Sequence, residues 1–285
     1  MQATGEISKG TTPEAAKEPL RRDPRAAMKT DDGFVAVFFS ARLANRLLAR
    51  IQDLPITPNQ VTALAILTKL IAAALYATGW WPSLVLGALL VQGSFVLDCL
   101  DGQLARHRRQ TSGFGEWLDF MSDCLGDLVL IAGIAVGCAL RTGSSAAFLW
   151  SYAAILVLFY RHFDWLLLVR VLGEGYQELH HTPTRAIDED GKTQIVEAAR
   201  ARRVAEWGPF ARFLDWLAPK GTAGGRSVVF WLKRALLFGN GERYVLISAL
   251  GAIGKPEWIF PVLIVWGGIV YPLISVHRWQ LFGGR

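Results

Sequence analysis

The sequence predicts an all-α membrane protein of about six transmembrane helices, preceded by an amphipathic helix lying in the membrane interface. Three observations carry that expectation. First, 52% of the 285 residues are hydrophobic and 11 are Trp, with a mean hydropathy of +0.29, too apolar for an ordinary soluble domain of this length. Second, six apolar segments, 58–79, 82–105, 114–140, 145–171, 241–254 and 257–277, reach or approach the roughly 20 residues a helix needs to cross a bilayer core. Third, Lys and Arg concentrate in alternate connections: the N-terminal tail, the turn RHRRQ at 106–110, the stretch 173–234 and the end HRWQLFGGR. The intervening TGWWPS, RTGSS and GKPEW carry little charge. By the positive-inside bias, both termini and the turn at 106–110 face the cytoplasm.

Taken in order, residues 1–32 are polar, charged and Pro-containing and lack an apolar core segment, so they read as a disordered cytoplasmic tail rather than a signal peptide. Residues 33–53 follow as the amphipathic helix, with Phe38, Leu43, Leu47 and Ile51 set against Arg42, Arg46 and Arg50. That pattern suits a helix in the interface plane, and equally one packed on the protein's own surface. Thr57 is placed to cap, and Pro58 to begin, the first span of a membrane domain over 54–279. The fifth segment is short, and Gly239 and Gly241 make a break before it plausible. Residues 173–225 read as a cytoplasmic connector in which His180 and His181 are a solvated pair more readily than a metal site, and 280–285 as a C-terminal tail. Cys99, Cys124 and Cys138 lie in apolar stretches without zinc-site or disulfide spacing and read as small core residues.

The stretch DCLDGQLARHRRQTSGFGEWLDFMSDCLGD, residues 98–127, sets acids inside apolar helices, where an ionisable group is expensive and marks function by default. On a helix, Asp98 and Asp101 are about 60° apart and Asp119 and Asp123 about 40° apart, so each pair shares a face. Four converging carboxylates in low dielectric must be neutralised by protons or cations. Hard divalent ions with oxygen ligands, shared with substrate phosphates, are the natural partners. Gly102, Ala105 and Gly115 leave bare surface beside the acids, which suits either a ligand or close helix packing. Arg106 adds a positive charge suited to a phosphate, or serves as a snorkelling anchor.

Together, Asp98-x2-Asp101-Gly102-x2-Ala105-Arg106-x8-Gly115-x3-Asp119-x3-Asp123 matches, at all eight defined positions and every spacing, the signature of the CDP-alcohol phosphotransferases (also called CDP-alcohol phosphatidyltransferases), and the chain resembles that family. The resemblance implies that Asp98, Asp101 and Asp119 hold two divalent ions, Mg²⁺ or Mn²⁺, with Asp123 completing the metal site and serving as general base. It also implies that Gly102, Ala105, Arg106 and Gly115 face the nucleotide. The expected activity is transfer of a phosphoalcohol, in the first instance phosphatidyl, group from a CDP-alcohol such as CDP-diacylglycerol to a hydroxyl of a polar, phosphorylated acceptor such as inositol or glycerol phosphate, releasing CMP. Lys69, Arg161 and Arg243 are the candidate cations for that acceptor. The competing reading makes Arg161 with Asp164, and Glu242 with Arg243, structural pairs. Asp127 continues the acidic series outside the motif and is expected either to support the metal-holding acids from behind or to hydrogen-bond between helices. The expected surroundings are a lipid bilayer and a second copy of the chain as a homodimer, with no nucleic acid. The alternatives are a transferase with a soluble CDP-alcohol donor and a lipid acceptor, a divalent-cation transporter, and a lipid-binding scaffold, which has no use for four acids.

Overall fold

The computed structural model describes Ala27 and residues 33–172, 235–237 and 239–282; the expected tail (apart from Ala27), the 173–225 connector with its two histidines, and residues 283–285 lie outside the described residues. All the regular structure described is helical. A wide helical turn, Ala36–Ser40, leads into α1 (Ala41–Ile51), followed by α2 (Pro58–Ala77), α3 (Trp81–Arg108), α4 (Gly113–Thr142), α5 (Ala146–Leu172) and α6 (Asn240–Ala252). A short turn, Pro256–Trp258, then opens α7 (Ile259–Val262), which runs through a second wide turn, Leu263–Gly267, into α8 (Gly268–Phe282).

Five described stretches are long and apolar enough to cross a membrane: Pro58–Ala77, Trp81–Arg108, Gly113–Thr142, Ala146–Asp164 and Pro256–Val276. The sixth expected segment is α6, whose 13 residues rise only about 20 Å. Large apolar side chains such as Leu67, Ile71, Leu89, Leu149 and Val265 point outward, the arrangement a lipid solvent rewards and water does not.

Thr57 caps α2 in a capping box: its hydroxyl accepts from Gln60 N at 3.3 Å while Gln60 Oε1 accepts from Thr57 N at 2.9 Å, and Pro58 takes the first helical position. At its far end, α2 runs against α4 with its backbone carbonyls facing Gly133 and Gly137. A Cβ at either glycine would collide with the Ala73 or Tyr76 carbonyl, so the two helices can approach this closely only with glycine there. Tyr76 then binds α6, donating its hydroxyl to Ile247 O at 2.9 Å, and Gln92 of α3 donates to Ser248 at 2.9 Å. These contacts draw α2, α3, α4 and α6 around one buried core that includes Tyr76, Leu84, Val91, Leu130, Ile134 and Tyr244.

The helix α1 lies on α3. Its buried stripe is Ala41, Ala44 and Leu48, and Gln103 of α3 donates to Ala41 O at 2.9 Å and accepts from Asn45 at 3.3 Å. Leu43 points outward with Arg42, Arg46 and Arg50, so the face that docks on the protein is built from small residues and one leucine. The basic turn after α3 has structural duties as well. Arg109 closes the helix in the left-handed region, and Arg108 donates to the carbonyls of Gln52, Leu54 and Ile56, tying down the α1–α2 connection.

Candidate metal centre and its surroundings

The α3–α4 turn brings the acidic ends of the two helices together. One carboxylate oxygen each from Asp98, Asp101 and Asp119 lies within 4.8 Å of the others. Asp101 is buried, Asp98 half-buried and Asp119 exposed, so the cluster grades from protein to solvent. Asp101 is fixed from α2, accepting from the Thr62 hydroxyl at 2.5 Å. Three hard, anionic oxygens at this spacing fit a divalent cation, since about 4.2 Å spans a Mg²⁺ coordination octahedron. Their mutual repulsion gives them reason to take one up.

Asp123 stands outside this convergent trio, one turn beyond Asp119 on α4. Its Oδ2 accepts from Asn240 Nδ2 at 3.0 Å and its Oδ1 lies 3.6 Å from Lys69 Nζ. Asp127, a further turn along, is buried and bridges three helices: it accepts from Arg243 Nη2 at 2.7 Å and Tyr244 Oη at 2.8 Å on α6, and lies 3.2 Å from His162 Nε2 on α5. Lys69 also donates to Tyr244 Oη at 3.0 Å, and Arg243 Nη2 lies 3.4 Å from Asn240 Oδ1.

Of the expected nucleotide-facing residues, Gly102 and Arg106 come together on α3: a Cβ on Gly102 would lie 3.1 Å from Arg106 Nη1, so the guanidinium folds back over the bare glycine face. Arg106 also donates from Nε to Ala27 O at 2.9 Å. Ala105, on the same turn, is half-buried. Gly115 sits in the first turn of α4, where its N–H donates to the capping Ser112 hydroxyl at 3.1 Å, and a Cβ there would lie 4.0 Å from Asn59 Oδ1.

The three candidate acceptor cations have different partners. Lys69 and Arg243 flank Asp123 and Asp127 inside the bundle, whereas Arg161 of α5 is half-buried with its guanidinium 5.8 Å from the Tyr271 ring centroid. Arg243 is fully buried, and its Nε and Nη1 have no hydrogen-bond partner among the described residues. Glu242 does not pair with Arg243. It turns away and accepts from Val35 N at 3.1 Å, because adjacent residues on a helix point about 100° apart. Sequence reasoning missed Thr62, His162 as a partner of Asp127, Asn240 and Tyr244. For Asn240 and Tyr244 the signal was faint: they bracket Glu242 and Arg243 at the start of a segment already marked as charged near the membrane.

Residues 55–185 match the family model of CDP-alcohol phosphatidyltransferase. A bifunctional IPC transferase and DIPP synthase from Aquifex aeolicus is 31% identical over 126 residues, 44% of this chain and 28% of that protein. An archaetidylinositol phosphate synthase from Pyrococcus horikoshii is 38% identical over 96 residues, 34% of this chain and 50% of that protein. The chain thus spans between about a quarter and a half of these relatives' lengths. Among solved structures, a Mycobacterium tuberculosis phosphatidylinositol phosphate synthase with CDP-DAG bound aligns at a TM-score of 0.47 and 17% identity, over 85% of this chain and 94% of that one.

Proposed function

We propose, from the match of residues 55–185 to the CDP-alcohol phosphatidyltransferase family model, that the protein is a membrane transferase of that family. It moves a phosphoalcohol group, phosphatidyl when the donor is CDP-diacylglycerol, to a hydroxyl of a phosphorylated polar acceptor and releases CMP. The observation that carries this reading is the convergence of Asp98, Asp101 and Asp119 oxygens within 4.8 Å, with a fourth carboxylate, Asp123, held one turn away.

In this reading Asp98, Asp101 and Asp119 hold two divalent ions, Mg²⁺ or Mn²⁺, which supply neutralisation of the diphosphate and of the departing CMP. Gly102 and Arg106 line the nucleotide side, with Gly115 opposite. Asp123 takes the proton from the acceptor hydroxyl as its oxygen bonds to the phosphorus bearing the alcohol, while the bond from that phosphorus to the CMP oxygen breaks. Arg161, and Arg243 with two side-chain nitrogens that find no partner among the described residues, supply the positive field for an acceptor phosphate. The archaetidylinositol phosphate synthases among the relatives are named for a phosphorylated inositol lipid, which favours the same acceptor class.

The site opens toward the cytoplasm in this proposal. Support comes from the basic turn next to the acids and from Asp101 lying only seven residues before the end of α3, far from the middle of a 28-residue helix. That placement also argues against a cation pathway through the midplane. The deciding experiment measures CMP release by the purified full chain across donors (CDP-diacylglycerol, soluble CDP-alcohols) and acceptors (inositol phosphate, glycerol phosphate, serine, a diglyceride). Efficient transfer to a phosphorylated acceptor is expected. Efficient transfer only to serine or a diglyceride overturns the acceptor assignment and leaves Arg161 and Arg243 structural.

A further inference from the structure

Asp123 sits in a closed ring of buried and half-buried polar groups. Lys69 Nζ lies 3.6 Å from Asp123 Oδ1 and donates to Tyr244 Oη at 3.0 Å; Tyr244 donates to Asp127 at 2.8 Å; Arg243 binds Asp127 at 2.7 Å and reaches Asn240 Oδ1 at 3.4 Å; and Asn240 returns to Asp123 Oδ2 at 3.0 Å. Both oxygens of Asp123 are therefore engaged, one by a cation from α2 and one by an amide from α6. A carboxylate held at both oxygens by two different helices cannot rotate about its terminal bond without breaking one contact.

The route by which Lys69 arrives is itself built. It belongs to α2 and reaches Asp123 across α4 at Gly126, which stands between Asp123 and Asp127 in the chain. A Cβ on Gly126 would lie 2.5 Å from Lys69 Cδ, 3.1 Å from Nζ and 3.3 Å from Cε, so any larger residue displaces the lysine stem. The hydrocarbon stem occupies that notch while the ammonium is held between Asp123 and Tyr244, 5.0 Å from the Tyr244 ring centroid. The lysine is thus confined at stem and tip alike.

We propose that Lys69, admitted through the Gly126 notch, and Asn240 are positioning residues that fix the Asp123 carboxylate in the orientation that accepts the acceptor's proton. This rests on the reading of Asp123 as general base given above. Orientation of this kind acts on turnover, because a base misplaced by about 1 Å can lose on the order of a hundredfold in rate without losing binding.

The test uses the full chain in nanodiscs, with the donor and acceptor pair it turns over. Lys69→Met should lower kcat by about tenfold to a hundredfold, with acceptor KM and Mn²⁺ affinity changed less than about threefold. Lys69→Arg, which keeps the cation, should recover part of the loss. Gly126→Ala should lower kcat in the same way, yet cost nothing further in a Lys69→Ala background, where the stem is gone. A tenfold rise in acceptor KM with kcat intact would make Lys69 an acceptor ligand and overturn the proposal, as would independent, multiplying effects of Gly126→Ala and Lys69→Ala. A thermal-unfolding cycle of Lys69→Met with Asp123→Asn reads the same contact without substrate. The double variant should lose clearly less than the sum of the singles, and strict additivity overturns the pairing. If the wild type releases no CMP from any CDP-alcohol, the function above fails, while the cycle still decides whether Lys69 holds Asp123.

Discussion

Replacing Asp98 by Asn should stabilise the protein in the absence of divalent ions and destabilise it in their presence. One carboxylate oxygen of Asp98 lies within 4.8 Å of one on Asp101 and one on Asp119. Two unit charges about 4.8 Å apart repel by roughly 3.5 kcal/mol at an effective dielectric constant near 20. The Asp119 contribution is smaller, because that residue is exposed and screened, and proton uptake by the metal-free cluster relieves part of the rest. The stabilisation left to recover is about 1–3 kcal/mol. With metal at about a thousand times its dissociation constant, binding stabilises the native state by about 4.1 kcal/mol, and removing a ligand forfeits nearly all of that, more than the roughly 1–3 kcal/mol recovered. The sign of the mutational effect therefore inverts with metal. The assay is thermal unfolding in detergent micelles, for wild type and Asp98→Asn, in EDTA and across a Mn²⁺ titration. A variant that loses the same stability in EDTA as in Mn²⁺ refutes the reasoning, because the acids would then not be a repelling cluster awaiting a cation.

Two further perturbations test the surroundings. Asp127→Asn leaves the fully buried Arg243 without its carboxylate and should cost about 3–5 kcal/mol in unfolding free energy. Arg243→Met in the same chain should recover most of that loss, and simple addition of the two single effects contradicts the pairing. A cysteine at Arg109, in a variant lacking Cys99, Cys124 and Cys138, should be labelled by an impermeant maleimide only from the cytoplasmic side; labelling only from outside reverses the topology and the nucleotide's route of access.

The acidic cluster was legible because it is local. Spacings of three and four residues place carboxylates on one helix face whatever the tertiary structure, and the α3–α4 connection is too short to separate the two faces. The cap at Thr57 and Pro58 was legible for the same reason. What surrounds the acids was not. Asn240 and Tyr244 lie 117 residues from the aspartates they bind, and Tyr244 lies 175 residues from Lys69, so no periodicity records those contacts. The competing Glu242–Arg243 pair illustrates the limit: chain neighbours on a helix diverge, and each found a partner on another segment. The docking face of α1 was also hidden, because its alanines carry a weak hydropathy signal yet let the helix lie close on α3. Gly126 gave no signal at all, since its role is defined by a side chain arriving from another helix.

The central claim, that this chain uses metal-loaded aspartates and the Asp123 base to transfer a phosphoalcohol from a CDP-alcohol, is tested most directly by Asp123→Asn in a divalent-dependent CMP-release assay. With a phosphorylated polyol as acceptor, wild-type protein should release CMP only when Mg²⁺ or Mn²⁺ is present. The variant, still folded and still binding Mn²⁺, should fall by at least about a hundredfold. CMP release by wild type that persists in EDTA, or full activity of Asp123→Asn, contradicts the account.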